Sequence, residues 1–183
     1  MTRQDDLIAM CKRGNPAAYT ELYNLHATAV YSSILRLVEH TAEAEDILQE
    51  SFVAAFEGIN GLKNTGGFRS WVKRIAINKS IDLIRKRKLR FVELDPGWVF
   101  EEDDDLIDEA EFRFTVDAIT EAVACLPDGY RTIFNLYVME NIPHGEIAQM
   151  LGMENATVRS QYHRARQRIL NMLKEGGYDA RRA

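Results

Sequence analysis

The 183-residue chain has few cysteines that could cross-link its fold and no apolar run long enough to span a membrane. Its two cysteines, Cys11 and Cys125, lie in separate apolar segments without metal-ligand or redox spacing, which predicts reduced thiols. No charged-then-apolar signal opens the sequence, and the uncharged apolar runs are far shorter than a membrane span. These absences predict a cytoplasmic protein with no direct membrane insertion.

Catalytic and cofactor-binding patterns are also lacking. No nucleophile, base and orienting group converge, and no phosphate-binding loop is present. The acids Glu43, Glu45, Asp46 and Glu50 raise a metal hypothesis, because carboxylates one helical turn apart can share a cation. No histidine-bearing E-x-x-H pattern accompanies them, which favours a solvated face or a docking face for a basic protein. The sequence predicts no enzyme, no cofactor and no metal site.

Charge is sorted into blocks along a chain whose net charge is −5. Residues 69–90 hold nine basic side chains and one acidic one, and residues 156–183 hold seven basic and two acidic ones. Between them, residues 91–112 hold ten acids and no basic side chain. A basic block on a folded element indicates a polyanionic partner. The chain therefore presents two candidate surfaces for nucleic acid, separated by an acidic tract.

Apolar residues recur at three- to four-residue steps, and no segment alternates as a strand does, so we predict an all-α fold. The organisation is an N-terminal domain at 1–90, an acidic linker at 91–112, a C-terminal domain at 113–175 and a tail at 176–183. Helices are predicted from about Pro16, from Ala42 with Thr41 as its cap, from about Arg69, and from about Ile107 to Leu126, where Pro127 stops the pattern. The first two buried stripes are Leu22, Leu25, Ala29, Ser33 and Leu37, and then Ile47, Phe52, Val53 and Phe56.

The C-terminal segment is typical of a helix-turn-helix. Gly152 allows a sharp turn, Asn155 or Thr157 can cap the second helix, and a single apolar stripe follows. That stripe consists of Val158, Tyr162, Ala165 and Ile169, and it leaves outward Arg159, Ser160, His163, Arg164 and Arg166. Such a cationic helix fits the major groove of DNA, where arginine bonds guanine, although charge runs are also common on solvated faces.

The basic N-terminal block is interleaved with Phe68 and Trp71. Aromatic rings stack on unpaired bases and cations follow phosphates, so the combination indicates melted nucleic acid. Asn78 and Asp82 lie four residues apart and can bond the edges of an extruded base. The spacing of Trp71 with Ile75 favours a core position for Trp71 over a stacking one.

Taken together, these motifs resemble those of the bacterial extracytoplasmic-function (ECF) sigma factors of the sigma-70 family. The N-terminal domain carries the pattern D-x-x-Q-E and then F-x-x-W-x-x-x-I-A-x-N-x-x-x-D, which here are Asp46, Gln49, Glu50, Phe68, Trp71, Ile75, Ala76, Asn78 and Asp82. The C-terminal domain carries L-P, E-I-A, L-G, T-V-R-S and R-A-R, which here are residues 126–127, 146–148, 151–152, 157–160 and 164–166. Positions 143–144, 155 and 161–162 depart from the family pattern and leave promoter preference open.

The resemblance implies a region 2 helical bundle and a region 4 helix-turn-helix, with core RNA polymerase, promoter DNA and an anti-sigma factor as partners. Asp46, Gln49 and Glu50 are expected on the polymerase. The minus-ten element is expected to bind the loop at about 61–68, together with Lys63, Phe68, Arg74, Asn78, Asp82 and Arg85. The minus-thirty-five element is expected to be read by Arg159, Ser160, His163 and Arg164, and its phosphates are expected to bind Thr157 and Arg166. The alternative is a helix-turn-helix regulator with an N-terminal dimerisation or sensor domain, which needs no polymerase-binding face.

Overall fold

The computed structural model describes residues 3–87 and 115–175, and the regular elements within these ranges are all helical. Its contacts divide the chain into two compact units, Met1–Arg87 and Lys88–Ala183. The predicted acidic linker, the C-terminal tail and the start of the pattern at Ile107 lie outside the described residues. In the described ranges, no helix combines the length and the apolar character needed to cross a membrane.

In unit 1, residues 3–87 contain four α-helices. They are α1 (Arg3–Lys12), α2 (Pro16–Val38), α3 (Thr41–Glu57) and α4 (Phe68–Lys86). Helix α2 begins where the Asn15 side chain accepts hydrogen bonds from the Ala17 and Ala18 amides, with Pro16 in the first turn. Helices α2, α3 and α4 pack against one another, and α1 packs on α2. The sequence interpretation assigned no helix before Pro16, because α1 is short and buries only Leu7, Ile8 and Cys11.

Two predicted core residues of unit 1 lie on the surface. Leu25 is 56% exposed and Val53 is 55% exposed, while His26 and Val30 are buried. An α-helix turns about 100° per residue, so a step of four from Leu22 lands about 40° away, whereas a step of three lands about 60° away. The buried face of α2 therefore runs through His26, and the predicted stripe was wrong at Leu25.

Between α3 and α4 the chain forms a loop of residues 59–67, hereafter the 59–67 loop. It contains two 3-10 turns, Ile59–Gly61 and Thr65–Gly67. The Asn64 side chain accepts a hydrogen bond from the Gly66 amide at 3.1 Å, which closes the second turn. The predicted break in α-helical order between Gly58 and Phe68 is confirmed.

In unit 2, the described residues 115–175 contain four α-helices. They are α5 (Val116–Ala124), α6 (Asp128–Phe134), α7 (His144–Leu151) and α8 (Asn155–Glu175). Helix α5 is capped by the Thr115 hydroxyl and ends before Pro127, as the sequence predicts. Helix α6 continues into a π-helical turn, Asn135–Met139, and Asn141 then adopts a left-handed φ of 54°. The core of unit 2 joins α5, α6 and α8 through Ala118, Ala122, Val123, Leu126, Tyr130, Phe134, Ala165, Ile169 and Leu173.

Candidate nucleic-acid interface

Helix α8 has one apolar face and one polar face, as its sequence predicts. Val158, Ala165 and Ile169 are buried, and Tyr162 is half-buried. The opposite side holds the predicted base-reading and phosphate-binding residues. Arg159, Ser160 and His163 are exposed, whereas Thr157, Arg164 and Arg166 are half-buried. The structure therefore brings all six onto one helix, with three of them open to solvent.

The turn before α8 has the geometry that a helix-turn-helix requires. Gly152 has a φ of 67°, a left-handed conformation that glycine adopts without strain. The Met153 amide donates to the Ala148 carbonyl oxygen at 2.9 Å, which closes the end of α7. The Val158 amide donates to the Glu154 carbonyl oxygen at 3.1 Å, so α8 begins at Asn155. The predicted cap at Asn155 or Thr157 was wrong, because both residues are already inside the helix.

An aromatic cluster that sequence analysis missed lies beside α8. The rings of Tyr137 and His144 stack with centroids 4.0 Å apart, and Tyr162 contacts both, at 4.6 Å and 5.1 Å. Burial, and then the nearby Arg159 guanidinium, lower the pKa of His144, so the ring is neutral near pH 7. The sequence signal was the departure from the family pattern at positions 144 and 162. The cluster packs a neutral histidine beside the predicted DNA-reading face.

Most of the predicted minus-ten residues share one surface of α4. Arg74, Asn78, Asp82 and Arg85 follow one another at steps of four, four and three residues, which keeps them on one side. Asn78, Asp82 and Arg85 are exposed, and Arg74 is half-buried. Lys63 is exposed in the 59–67 loop.

Phe68 is a correction to the predicted interface. Its side chain is 0% exposed and packs among rings, with Phe56 at 6.3 Å, Trp71 at 6.1 Å and His26 at 5.5 Å between centroids. A ring that is enclosed in this way cannot stack on a base without leaving the core. The burial of Phe68 favours a core role over the predicted contact with DNA. Trp71 is half-buried, and its ring approaches Gly58 closely, which agrees with the predicted core position.

The predicted polymerase-binding residues lie on α3, and two of them, Asp46 and Glu50, line a groove between α3 and α4. Asp46, Gln49 and Glu50 are all exposed. Glu50 accepts a hydrogen bond from Lys79 Nζ of α4 at 2.8 Å, and this bond lowers the pKa of the Glu50 carboxyl. The groove has a volume of about 320 Å³ and is lined by Glu43, Asp46, Ile47, Glu50, Lys79, Asp82, Leu83 and Lys86.

This groove joins two surfaces that the sequence treats as separate. Asp46 and Glu50 were assigned to the polymerase and Asp82 to DNA, yet all three line the same groove. A second ion pair, between Glu43 and Arg87, also links α3 to the residue that follows α4. Two of the four acids in the metal hypothesis are therefore ion-paired. Among the described residues, no group of three His, Cys, Asp or Glu side chains is placed to hold a metal ion.

The fold and these faces define a two-module, all-helical DNA-binding protein. Comparison with known families gives two matches, Sigma-70 region 2 at residues 22–90 and Sigma-70, region 4 at residues 117–169. The chain belongs to the sigma-70 family and is an ECF-type RNA polymerase sigma factor. Helix α1 lies outside both matched ranges.

Similar proteins span most of the chain. The ECF RNA polymerase sigma factor SigW of Bacillus subtilis (strain 168) is 28% identical over 179 residues, which is 92% of this chain and 95% of SigW. The ECF RNA polymerase sigma factor SigE of Mycolicibacterium smegmatis is 31% identical over 160 residues, 85% of this chain and 62% of SigE. Among solved structures, the sigma factor RpoE, in complex with the anti-sigma factor NepR from Bartonella quintana, has the same fold. Its TM-score is 0.51 at 20% identity, over 85% of this chain and 96% of that one.

Proposed function

We propose that this sigma factor reads a two-part promoter with two helices that bind DNA in different states. Helix α8, in the C-terminal domain at 113–175, reads the minus-thirty-five element as duplex. Helix α4 and the 59–67 loop, in the N-terminal domain at 1–90, hold the melted minus-ten element. The observation that carries the proposal is the pair of polar, cation-bearing faces on α4 and α8, each backed by a separate apolar core.

The duplex-reading role rests on the geometry of α8. An α-helix fits the major groove, and the N-terminal half of a recognition helix contacts the base edges. Arg159, Ser160 and His163 are exposed in that half, and Arg164 directly follows His163. Thr157 and Arg166 flank this set and are assigned to phosphates. The buried stripe on the other side fixes the orientation of the helix, so its outward side chains arrive at the groove together.

The melted-strand role rests on polar side chains rather than on stacking. Asn78 and Asp82 are exposed on one side of α4 and can pair with the edge of an unstacked base. Arg74, Arg85 and Lys63 supply positive charge for the phosphates. Because Phe68 belongs to the core, base capture depends on this hydrogen-bonding set and on the 59–67 loop.

The polymerase-binding role rests on the exposed acids of α3. Asp46, Gln49 and Glu50 are assigned to the coiled-coil clamp of the core enzyme, and charge complementarity would speed and orient that encounter. The chain then acts as a specificity subunit without catalysis of its own, in the cytoplasm where promoter DNA and polymerase meet. An anti-sigma factor, such as the one bound to the similar RpoE, is the proposed regulator.

In-vitro transcription tests this proposal. Core RNA polymerase is supplemented with the full chain on a library of randomised promoters, and the starts are sequenced. We expect new starts with two conserved blocks, of which Arg159→Ala alters only the upstream one and Asn78→Ala only the downstream one. Supplemented core that starts nowhere new would contradict the proposal. Binding to DNA without binding to core polymerase would instead support the alternative, a helix-turn-helix regulator.

A further inference from the structure

Helix α1 is hydrogen-bonded to the 59–67 loop at three points. Gln4 Nε2 donates to the Thr65 carbonyl oxygen at 2.6 Å, and Thr65 Oγ1 donates to Asp5 Oδ1 at 2.5 Å. Lys12 Nζ donates to the Leu62 carbonyl oxygen at 2.9 Å. The partners lie at least 50 positions apart in sequence, so these contacts are tertiary.

The three contacts bracket the tip of the loop. Leu62 and Thr65 flank Lys63 and Asn64, and the carbonyl oxygen of each flanking residue accepts a bond from α1. Within the loop, the local bonds are those of two tight turns, in which the Gly61 amide donates to the Gly58 carbonyl at 2.9 Å and Asn64 closes the second turn. Glycine-rich segments lose much conformational entropy on ordering. The bonds from α1 therefore hold the Lys63–Asn64 tip in one shape.

We propose that Gln4, Asp5 and Lys12 are positioning residues for promoter melting. They hold the 59–67 loop in the shape that receives an unpaired base, and α1 itself need not touch DNA. This inference rests on the proposed function, since the loop must be the element that captures the base. The Lys12 bond and the Thr65–Asp5 bond each have one ionised partner, and such charge-assisted bonds are roughly twice as strong as neutral ones.

The chain offers a matched control for Lys12. Arg13 is the next residue, is also an exposed cation, and bonds through its side chain to none of the described residues. Lys12→Met and Arg13→Met therefore remove the same charge from the same end of α1, but only the first removes a bond to the loop. Lys12→Arg keeps a donor and serves as the rescue variant.

A second pair of variants tests the other end of the loop. Thr65→Val removes the hydroxyl that donates to Asp5 and keeps the side-chain shape, whereas Thr65→Ser keeps the hydroxyl. The pair keeps the inference testable if the substitutions at Lys12 disturb folding.

The experiment uses holoenzyme and a duplex promoter that the wild-type holoenzyme has selected from a randomised library. Open-complex formation is followed with 2-aminopurine placed at each minus-ten position of the non-template strand. We expect Lys12→Met to slow opening on the order of tenfold, as loss of a charge-assisted bond does. We also expect Lys12→Met to reduce the ratio of opening rates between the selected minus-ten base and other bases at the same position. Its affinity for core RNA polymerase should be unchanged. Arg13→Met should change opening by no more than about twofold, and Lys12→Arg should restore it.

Two results would overturn the inference. The first is an equal effect of Lys12→Met and Arg13→Met, which would reduce Lys12 to a surface charge. The second is slower opening with base preference unchanged in both Lys12→Met and Thr65→Val, which a merely structural role predicts. Failure of the proposed function is distinguishable, because wild-type holoenzyme would then open no selected promoter.

Discussion

The two cationic helices α4 and α8 are held in different ways. Helix α4 packs against both α2 and α3, and Lys79 within it, together with Arg87 just after it, pairs with acids of α3. Helix α8 buries one stripe, and its exposed Arg159 forms no ion pair with any residue that the structure describes. Helix α4 is thus tied to α3 by two ion pairs, whereas Arg159 of α8 lies on a helix that packs through its apolar stripe.

This difference teaches that the two faces depend on different parts of the molecule. The α8 face lies on a helix that packs through its apolar stripe, with the rings of Tyr137 and His144 beside it. The α4 face depends on α3 for its ion pairs, and the adjoining loop depends on α1 for its shape. A change outside α4 can therefore alter what α4 and its loop bind.

The largest effect is expected from removing the ring at the base of α4. Phe68→Ala empties a fully buried aromatic site, which costs about 3–5 kcal/mol. Hydrogen exchange read by mass spectrometry should show lost protection in residues 3–87 and unchanged protection in residues 115–175. Arg85→Ala, an exposed substitution on the same helix, is the control. If Phe68→Ala keeps wild-type protection and loses only minus-ten binding, Phe68 belongs on the DNA surface after all.

A smaller effect is expected from removing one base-reading side chain of α8. Arg159→Ala should cost about 1–3 kcal/mol of promoter discrimination, through loss of bonds to a base. Competition between promoters that differ at single minus-thirty-five positions measures it. Arg168→Ala is the matched control, because Arg168 lies further along α8, with its guanidinium 5.1 Å from the centre of the Tyr130 ring. Because Arg168→Ala removes a positive charge that is not assigned to a base, it should weaken binding to all the promoters alike. Loss of discrimination in both variants would mean that α8 contributes charge rather than sequence reading.

The same difference explains which parts the sequence could predict. The apolar stripe of α8 was predicted because its spacing lies within one helix and needs no knowledge of the partner helices. The N-cap of α8 was predicted at the wrong residue, because Asn155 and Thr157 are both good capping residues. The start of the helix is set by the hydrogen bond that the Val158 amide donates to the Glu154 carbonyl oxygen.

The missed features depend on packing between helices that are distant in the sequence. Phe68 has the spacing of a surface motif, and only the rings of α2 and α3 around it make it core. Asp82 meets Glu50 across a groove whose walls come from two helices. Helix α1 gave no strong periodic signal, yet its side chains reach the 59–67 loop. The periodicity of apolar residues shows which face of a helix is buried, but it does not show which helices pack against that face.

Proton binding at a buried histidine should have a smaller effect and should sharpen the comparison. Burial, and then the nearby Arg69, lower the pKa of His26, whereas the unfolded chain titrates near the ordinary value of 6.5. The unfolded state therefore binds the proton first, and the stability of unit 1 should be full above that pH and fall below it. Hydrogen exchange at pH 7.5 and at pH 5.5, about one unit above and below the ordinary pKa of histidine, measures this loss of stability.

The control for His26 lies in the other unit. His26→Gln should flatten the pH dependence in residues 3–87 and leave that of residues 115–175, where burial also lowers the pKa of His144. A flattening in both ranges, or in neither, would show that His26 is not the group that couples pH to the stability of unit 1.

The smallest effect is expected from the ion pair between Glu50 and Lys79, and it tests the tie between α3 and α4 directly. The two side chains are 65% and 34% exposed, so a double-mutant cycle of Glu50→Gln and Lys79→Met should give a coupling of about 0.2–1 kcal/mol that shrinks with salt. Because the bond lowers the pKa of Glu50, the coupling should be present above pH 4.5 and be lost as pH falls through the folded value.

The informative step is to repeat this cycle in the holoenzyme. If Glu50 turns to the polymerase, as proposed, it leaves Lys79 free for DNA, and the coupling between the two positions should vanish in the unfolding or exchange of bound unit 1. Core binding would then strengthen the cationic face of α4 at the moment that DNA arrives. Glu43→Gln is the control, since Glu43 pairs with Arg87 rather than with Lys79. A coupling that is the same in free and bound protein would mean that polymerase leaves the pair intact, and Lys79 would then not be released for DNA.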